Sequence, residues 1–318
     1  MTMTNDPRPP SGGRLGLGLA ALGRPGYITL GHGEDLSGET DVPALESRAH
    51  AVLDAGRAGG IRYFDAARSY GRAEEFLGSW LQEQDIVPGD VTVASKWGYA
   101  YTADWRVDAE EHEVKDLSFE HLESQLAESR AILGNHLDLY QIHSATLESG
   151  VLDDRGLLEE LARLRETGLR IGLTVSGPKQ RETIERALEV GGFDAVQATW
   201  NLHERSAGPA LADADAAGLS VIVKEALANG RLAARGGDAR LLAVAEKRGV
   251  SPDALALAAA LAQPWAHVVL SGAATVPQLE SNLAARAIAY DDELDDELAP
   301  LTEDRDVYWK TRAGLSWN

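Results

Sequence analysis

Three apolar stretches of this chain each run into an ionisable side chain, and a phenol follows the first of them. Residues 61–67 read Ile-Arg-Tyr-Phe-Asp-Ala-Ala, a short buried-strand pattern that reaches Asp65, with Tyr70 five residues further on. Val91-Thr-Val-Ala-Ser-Lys96 closes on a lysine, and Leu137-Asp-Leu-Tyr-Gln-Ile-His143 closes on a histidine. Taken singly, each has an ordinary explanation: a helix cap for Asp65, a solvated loop for Lys96, packing for Tyr70, a satisfied imidazole for His143. Falling together at the same end of successive strands, they describe a site. A phenol holds its proton up to about pH 10, and a nearby ammonium favours its ionised form. A carboxylate would keep that ammonium charged and oriented, and a neutral imidazole can donate a hydrogen bond to a carbonyl oxygen. Such a set protonates a carbonyl but contains no hydride, so a nicotinamide has to bring one.

The elements that carry these residues alternate along the chain. Counting residues 15–19 as the first, strands are expected at 61–67, 91–96, 137–143, 171–175, 195–200, 220–223 and 268–270, with helical spacing between them. The strands are continuous apolar runs, as in a parallel sheet covered on its outer face. Eight such strands over roughly 250 residues predict an α/β fold, the eight-stranded parallel β/α (TIM) barrel, whose active site lies at the C-terminal ends of the strands. One barrel domain is expected over residues 14–318, after a Pro/Gly-rich lead-in at 1–13 that reads as disordered rather than as a signal peptide. Loops 27–44 and 97–118 and the tail 300–318 should cover the mouth. Their aromatics, among them Tyr99, Tyr101, Trp105, Tyr308, Trp309 and Trp317, suit a partly apolar pocket or rings that stack on a sugar. His32 with Glu34 and Asp35 reads as solvated surface, not as a metal site. Gly16-x-Gly18-x-x-Ala21 has the outline of a dinucleotide fingerprint, but Gly23-Arg-Pro25-Gly26 stops any helix that would have to follow it.

Composition narrows the function classes. The chain has 318 residues and a net charge of -20, which disfavours nucleic acid and anionic membrane as partners. It contains no cysteine, which excludes disulfides and thiolate chemistry. No apolar run reaches the roughly 20 residues of a membrane span. A cytoplasmic protein is expected; its oligomeric state is not encoded in these patterns.

From Gly16 to about Asn282 the chain resembles the aldo-keto reductases. The resemblance rests on Asp65-(x)4-Tyr70-Gly71 followed by Glu74-x-x-Leu77-Gly78, on Lys96 at its strand end, and on the Asp138–His143 segment. It implies that Tyr70 is the proton donor, that Lys96 and Asp65 tune it, and that His143 orients the carbonyl. It also implies cofactor contacts. Ser176 and Gln197 would bind the nicotinamide amide, although Gly177 stands where the family usually has asparagine. Trp200 would stack on the nicotinamide ring. The loop from Lys224 through Ala226, Leu227, Asn229 and Gly230 replaces the family's Ser-Pro-Leu pyrophosphate loop, with Lys224 offering charge to a phosphate. Ser271, Gly272, Ala273, Gln278 and Asn282 would surround the adenosine. The family inclines the expectation slightly toward NADP, while the uncharged Ala274, Thr275 and Gln278 incline it toward NAD.

The leading expectation is an NAD(P)-dependent oxidoreductase that reduces an aldehyde or ketone to an alcohol, with no metal. An NAD-linked sugar 1-dehydrogenase working in the oxidative direction is the alternative. A slow-turnover cofactor-binding regulatory protein would have no need of all four ionisable groups. A metal-dependent hydrolase would need more ligands at the strand ends than His143 and Asp65.

Overall fold

The computed structural model describes residues 14–318, so the expected lead-in at 1–13 lies outside the described residues. Ten strands follow in chain order: β1 (Arg14–Gly18), β2 (Tyr63–Asp65), β3 (Thr92–Trp97), β4 (Tyr99–Tyr101), β5 (Glu113–Lys115), β6 (Leu137–Ala145), β7 (Arg170–Val175), β8 (Ala195–Thr199), β9 (Ser220–Lys224) and β10 (Val268–Ser271). Eight of them close a parallel barrel in the order β1-β10-β9-β8-β7-β6-β3-β2, the TIM-barrel fold expected from the alternation. The other two, β4 and β5, form an antiparallel hairpin inside the stretch 97–118, which the sequence reads as a plain loop.

The helices are α1 (His32–Asp35), α2 (Val42–Ala58), α3 (Ala73–Glu83), α4 (Phe119–Leu133), α5 (Arg155–Glu166), α6 (Gln180–Val190), α7 (Gly208–Ala216), α8 (Ala239–Arg248), α9 (Pro252–Leu261), α10 (Val276–Leu283), α11 (Asp292–Leu298) and α12 (Arg305–Ala313). Helix α2 begins four residues before the spacing suggests. Asp41 caps it by accepting from the Ala44 amide, and Pro43 suits its first turn. None of the described helices is long and apolar enough to cross a membrane.

Side-chain alternation fixes what the barrel interior offers. An apolar layer of Tyr63, Ala94, Leu139, Ala195, Ile222, Val268 and Leu270 fills the barrel axis. Because strand side chains repeat every two residues, the residue two places on faces inward as well. On five strands that residue is polar: Asp65, Lys96, Gln141, Gln197 and Lys224. Packing in the apolar layer is tight. A Cβ at Gly16 would come 2.8–3.1 Å from Val268, Leu270 and Tyr63, so β1 can approach only as glycine. The larger core, including Phe64, Trp80, Val93 and Tyr140, lies between the strands and the helices.

Candidate active site

The polar layer is wired together. Lys96 Nζ forms an ion pair with Asp65 and donates to the Ala66 carbonyl at 2.8 Å. Asp65 Oδ2 accepts from Gln197 Nε2 at 2.9 Å and from Gln141 Nε2 at 3.3 Å. Both ions are almost wholly removed from water, at 2 % exposure for Asp65 and 1 % for Lys96. Buried charges persist only when paired and hydrogen-bonded, and this arrangement provides both.

Tyr70, in the loop after β2, lies over this pair, with Lys96 Nζ 4.7 Å from its ring centroid. Its hydroxyl is 3.4 Å from His143 Nε2, and the two rings meet edge to face at 5.4 Å. Ser69 Oγ lies 3.4 Å from His143 Nδ1, and Tyr99 closes on the imidazole from another side with ring centroids 4.9 Å apart. If the Ser69 hydroxyl donates to Nδ1, the imidazole proton is left on Nε2, facing Tyr70. Asp65, Tyr70, Lys96 and His143 thus form one cluster.

The electrostatics differ from the expectation that lysine would draw the phenol down. Burial, followed by the charges of Asp65 and Glu113, pushes the Tyr70 phenol well above its ordinary value against a smaller opposing effect of Arg24. The charge of Lys96 is matched by Asp65, and desolvation wins. His143 goes the other way. Burial, then Lys96, Lys224, Arg24 and Lys115, holds its imidazolium form far below the usual range. At neutral pH the pair is therefore a protonated phenol beside an uncharged imidazole.

Arg24 is a member of this neighbourhood that sequence reasoning missed. It is buried, donates to the Ser69 carbonyl at 2.9 Å and pairs with Glu113 at 2.7 Å. Its guanidinium sits 5.2 Å from the Tyr70 ring centroid and 4.6 Å from that of Trp317. The β4–β5 hairpin supplies Glu113, and Trp317 stacks on His112 of the same hairpin at 4.0 Å. No local pattern announces Arg24, because its partner is 89 residues away.

A cavity of about 990 Å³ runs from Tyr70 and His143, past Ser176 and Lys224, to the segment after β10. Every expected cofactor contact except Trp200 lines it. Trp200 lies in a different layer. It is packed against Trp265 with ring centroids 5.7 Å apart, Arg205 lies 5.6 Å from its ring, and it does not line the cavity. The reason is parity: Gln197 faces the barrel axis, so the residue three places on faces the helical layer.

The second half of the cavity wall departs from local regularity. Glu225, Ala228 and Asn229 have φ of 54°, 47° and 55°, the left-handed region that ordinary side chains rarely adopt. The loop they form is anchored from outside: Arg312 on α12 donates to Glu225 Oε1 and Oε2 at 2.5–3.1 Å. Burial alone would raise the Glu225 carboxyl, but Arg312 and Lys224 outweigh it and hold the group at about 2. Glu225 and Arg312 were not anticipated, although the strand-end rule that picks out Asp65 points equally to Lys224-Glu225. Asn229 Oδ1 is buried without a partner at this wall. Further along, Asn282 donates to Ser271 Oγ at 2.9 Å, and Gln278 accepts from the Ala274 amide at 2.9 Å.

His32, read as solvated surface, is buried, and burial pulls its pKa down to about 4. Its neighbour Asp35 pairs with Arg235 at 2.7 Å. Among the described residues no group of three or more His, Asp or Glu is placed to hold a metal.

Comparison with known proteins agrees with the architecture. Pyridoxal 4-dehydrogenase of Microbacterium luteolum is 28 % identical over 211 residues, which are 55 % of this chain and 59 % of that protein. The alignment thus spans under two thirds of the relative. An aldo-keto reductase from Bacillus halodurans in its holo form superposes with a TM-score of 0.70 at 21 % identity, covering 92 % of each chain. The glycerol dehydrogenase of Gluconobacter oxydans gives 0.70 at 22 % identity, covering 91 % of this chain and 90 % of that one. Residues 14–299 match the Aldo/keto reductase family as a whole. A barrel, its strand-end cluster and this match agree: the chain belongs to the aldo/keto reductase family.

Proposed function

We propose that the cavity binds a nicotinamide dinucleotide and that the chain interconverts a small carbonyl compound and its alcohol. The observation that carries this reading is the meeting of the Tyr70 hydroxyl and His143 Nε2, 3.4 Å apart, at the foot of a cavity of dinucleotide size. The lining suits such a ligand. Ser176 and Gln197 offer hydroxyl and amide groups near the floor, and the unpartnered Asn229 Oδ1 is an acceptor for a ligand hydroxyl. When bound, the nicotinamide supplies or takes up the hydride. The chain's own groups handle orientation and the proton. His143, uncharged, donates to the carbonyl oxygen and orients it; Tyr70, held protonated, gives its proton to that oxygen in reduction, and its phenolate form takes the proton back in oxidation. The Asp65–Lys96 pair fixes the ground beneath the phenol.

The adenosine end supports NAD over NADP. Residues 271–282 contribute no Lys or Arg, and Asp253 adds a carboxylate to the same wall. Arg235, the cavity arginine that follows the 225–230 loop, is held by Asp35 and the Leu30 carbonyl. A ribose 2′-hydroxyl can donate to a carboxylate, whereas a 2′-phosphate would face one with no Lys or Arg from residues 271–282 to meet it. Similarity to pyridoxal 4-dehydrogenase favours an oxidative second reading, an alcohol or sugar dehydrogenase.

Titrating the purified protein with NADH and NADPH while following tryptophan fluorescence tests the cofactor class. Assaying aldehydes and their alcohols with wild type and Tyr70→Phe then tests the chemistry. NADH binding and turnover lost in the variant are expected; absence of binding by either dinucleotide would sink the proposal.

A further inference from the structure

Lys224 is an ionisable side chain of the cavity that the acid–base cluster leaves unused. It ends β9, and its Nζ donates to Ser176 Oγ and Thr199 Oγ1, each at 3.2 Å. No carboxylate lies within ion-pair reach of it among the described residues. Those nearby have other partners: Asp65 has Lys96, Glu225 has Arg312, and Glu113 has Arg24. The charges around Lys224 therefore cancel in pairs and leave it a net positive point of the cavity floor, with Lys115 of the hairpin a second cation on the cavity wall.

Hydride moves only between atoms in contact. A ring that exchanges hydride with a carbonyl carbon held at Tyr70 and His143 must lie against the neighbouring floor, where Ser176, Gln197 and Lys224 line the cavity. A nicotinamide ring carries a positive charge when oxidised and none when reduced. A fixed cation beside it opposes the oxidised form alone, and more strongly away from bulk water. We propose that Lys224 makes this site hold reduced cofactor more tightly than oxidised cofactor, drawing the bound equilibrium toward substrate oxidation. The inference rests on the proposed function. In that direction the alcohol loses a C–H bond with its electron pair to the cofactor ring. Its hydroxyl proton is taken up by the phenolate form of Tyr70, which must first release its own proton to solvent, so the substrate gives up two electrons and the cofactor gains two. Lys224 thereby acts on the ring rather than on a phosphate.

The charge on Lys224 can be titrated within a convenient range. Burial, only partly offset by Glu225, lowers its pKa to about 8. Of the groups facing it, His143 and Glu225 change charge at lower pH and the Tyr70 phenol at higher pH. Lys115 on the hairpin is also lowered by burial, and it donates to the Ser144 carbonyl at 2.6 Å.

The test is the ratio of NAD⁺ to NADH dissociation constants, measured by fluorescence titration from about pH 6.5 to about pH 9.5 in wild type, Lys224→Met, Lys224→Gln and Lys115→Met. Wild type and Lys115→Met should favour NADH by about tenfold at the acidic end, with the ratio falling at least about threefold as pH rises through the Lys224 pKa. Both Lys224 variants should show the low ratio at every pH, and circular dichroism melts report whether they remain folded. A wild-type ratio that ignores pH, or a pH-dependent ratio that survives in a folded Lys224 variant, would overturn the inference while leaving the cofactor reading intact. Failure of wild type to bind either form would overturn both.

Discussion

The two ends of the cavity are built by different means. At the Tyr70 end, groups stand on strand ends, and Asp65, Lys96, Gln141 and Gln197 hold one another through bonds within the barrel. At the far end, the wall is a loop in left-handed backbone, held by Arg312, which comes from a helix 87 residues away. The first arrangement gets its precision from the closed sheet. The second gets it from distant anchors, so its chemistry can change without disturbing the strands.

That contrast predicts a graded series. The largest expected effect is on proton handling: Tyr70→Phe should lower kcat by roughly 10²- to 10⁴-fold with cofactor affinity and melting temperature nearly unchanged. A variant that keeps wild-type turnover would remove Tyr70 from the chemistry. Next comes Asp65→Asn, which leaves Lys96 as an unmatched buried charge. A loss of about 3–5 kcal/mol in denaturant unfolding is expected, and a loss below about 1 kcal/mol would show that the pair is dispensable to the fold.

Arg312→Ala probes the other end. With Glu225 unmatched beside the cavity, affinity for the anionic dinucleotide should fall by about tenfold, while kcat at saturation changes little. Its effect on stability carries a pH signature. Glu225 ionises at about 2 in the fold against 4.5 ordinarily, so the stabilisation is full above about pH 4.5 and fades as pH falls toward 2. Unfolding curves of wild type and variant should therefore converge across that window; a constant gap would assign the effect to lost packing. The smallest expected effect is on binding by Trp200→Phe, which should leave both cofactor dissociation constants within about twofold while lowering stability through the space opened beside Trp265. A tenfold loss of affinity would return that ring to the cofactor.

The same contrast explains what the sequence made legible. Asp65, Lys96 and His143 could be found because strand alternation places a strand-end side chain without knowledge of its partners. Trp200 was matched by motif, whereas counting parity from Gln197 places it against Trp265 in the helical layer. Arg24 and Arg312 left no local trace, since an arginine becomes a site residue only through a carboxylate that the fold brings to it from a distant segment. The hairpin of β4 and β5 was hidden by Asp108, Glu110, Glu111 and Glu113 between and within its strands, which read as loop. The early start of α2 was written in Asp41 and Pro43, but the apolar spacing begins only at Leu45.

The pairing of the cavity arginines has a consequence for how fast a ligand arrives. Arg24, Arg235 and Arg312 are each matched by a carboxylate within the fold, so the mouth projects little positive field into the solvent. What an approaching anion meets at long range is the net charge of -20. Added salt screens such a field over distances of about 10 Å at 0.1 M. Association of a dinucleotide should therefore quicken as ionic strength rises, the opposite of the slowing seen where a basic surface gathers its anions.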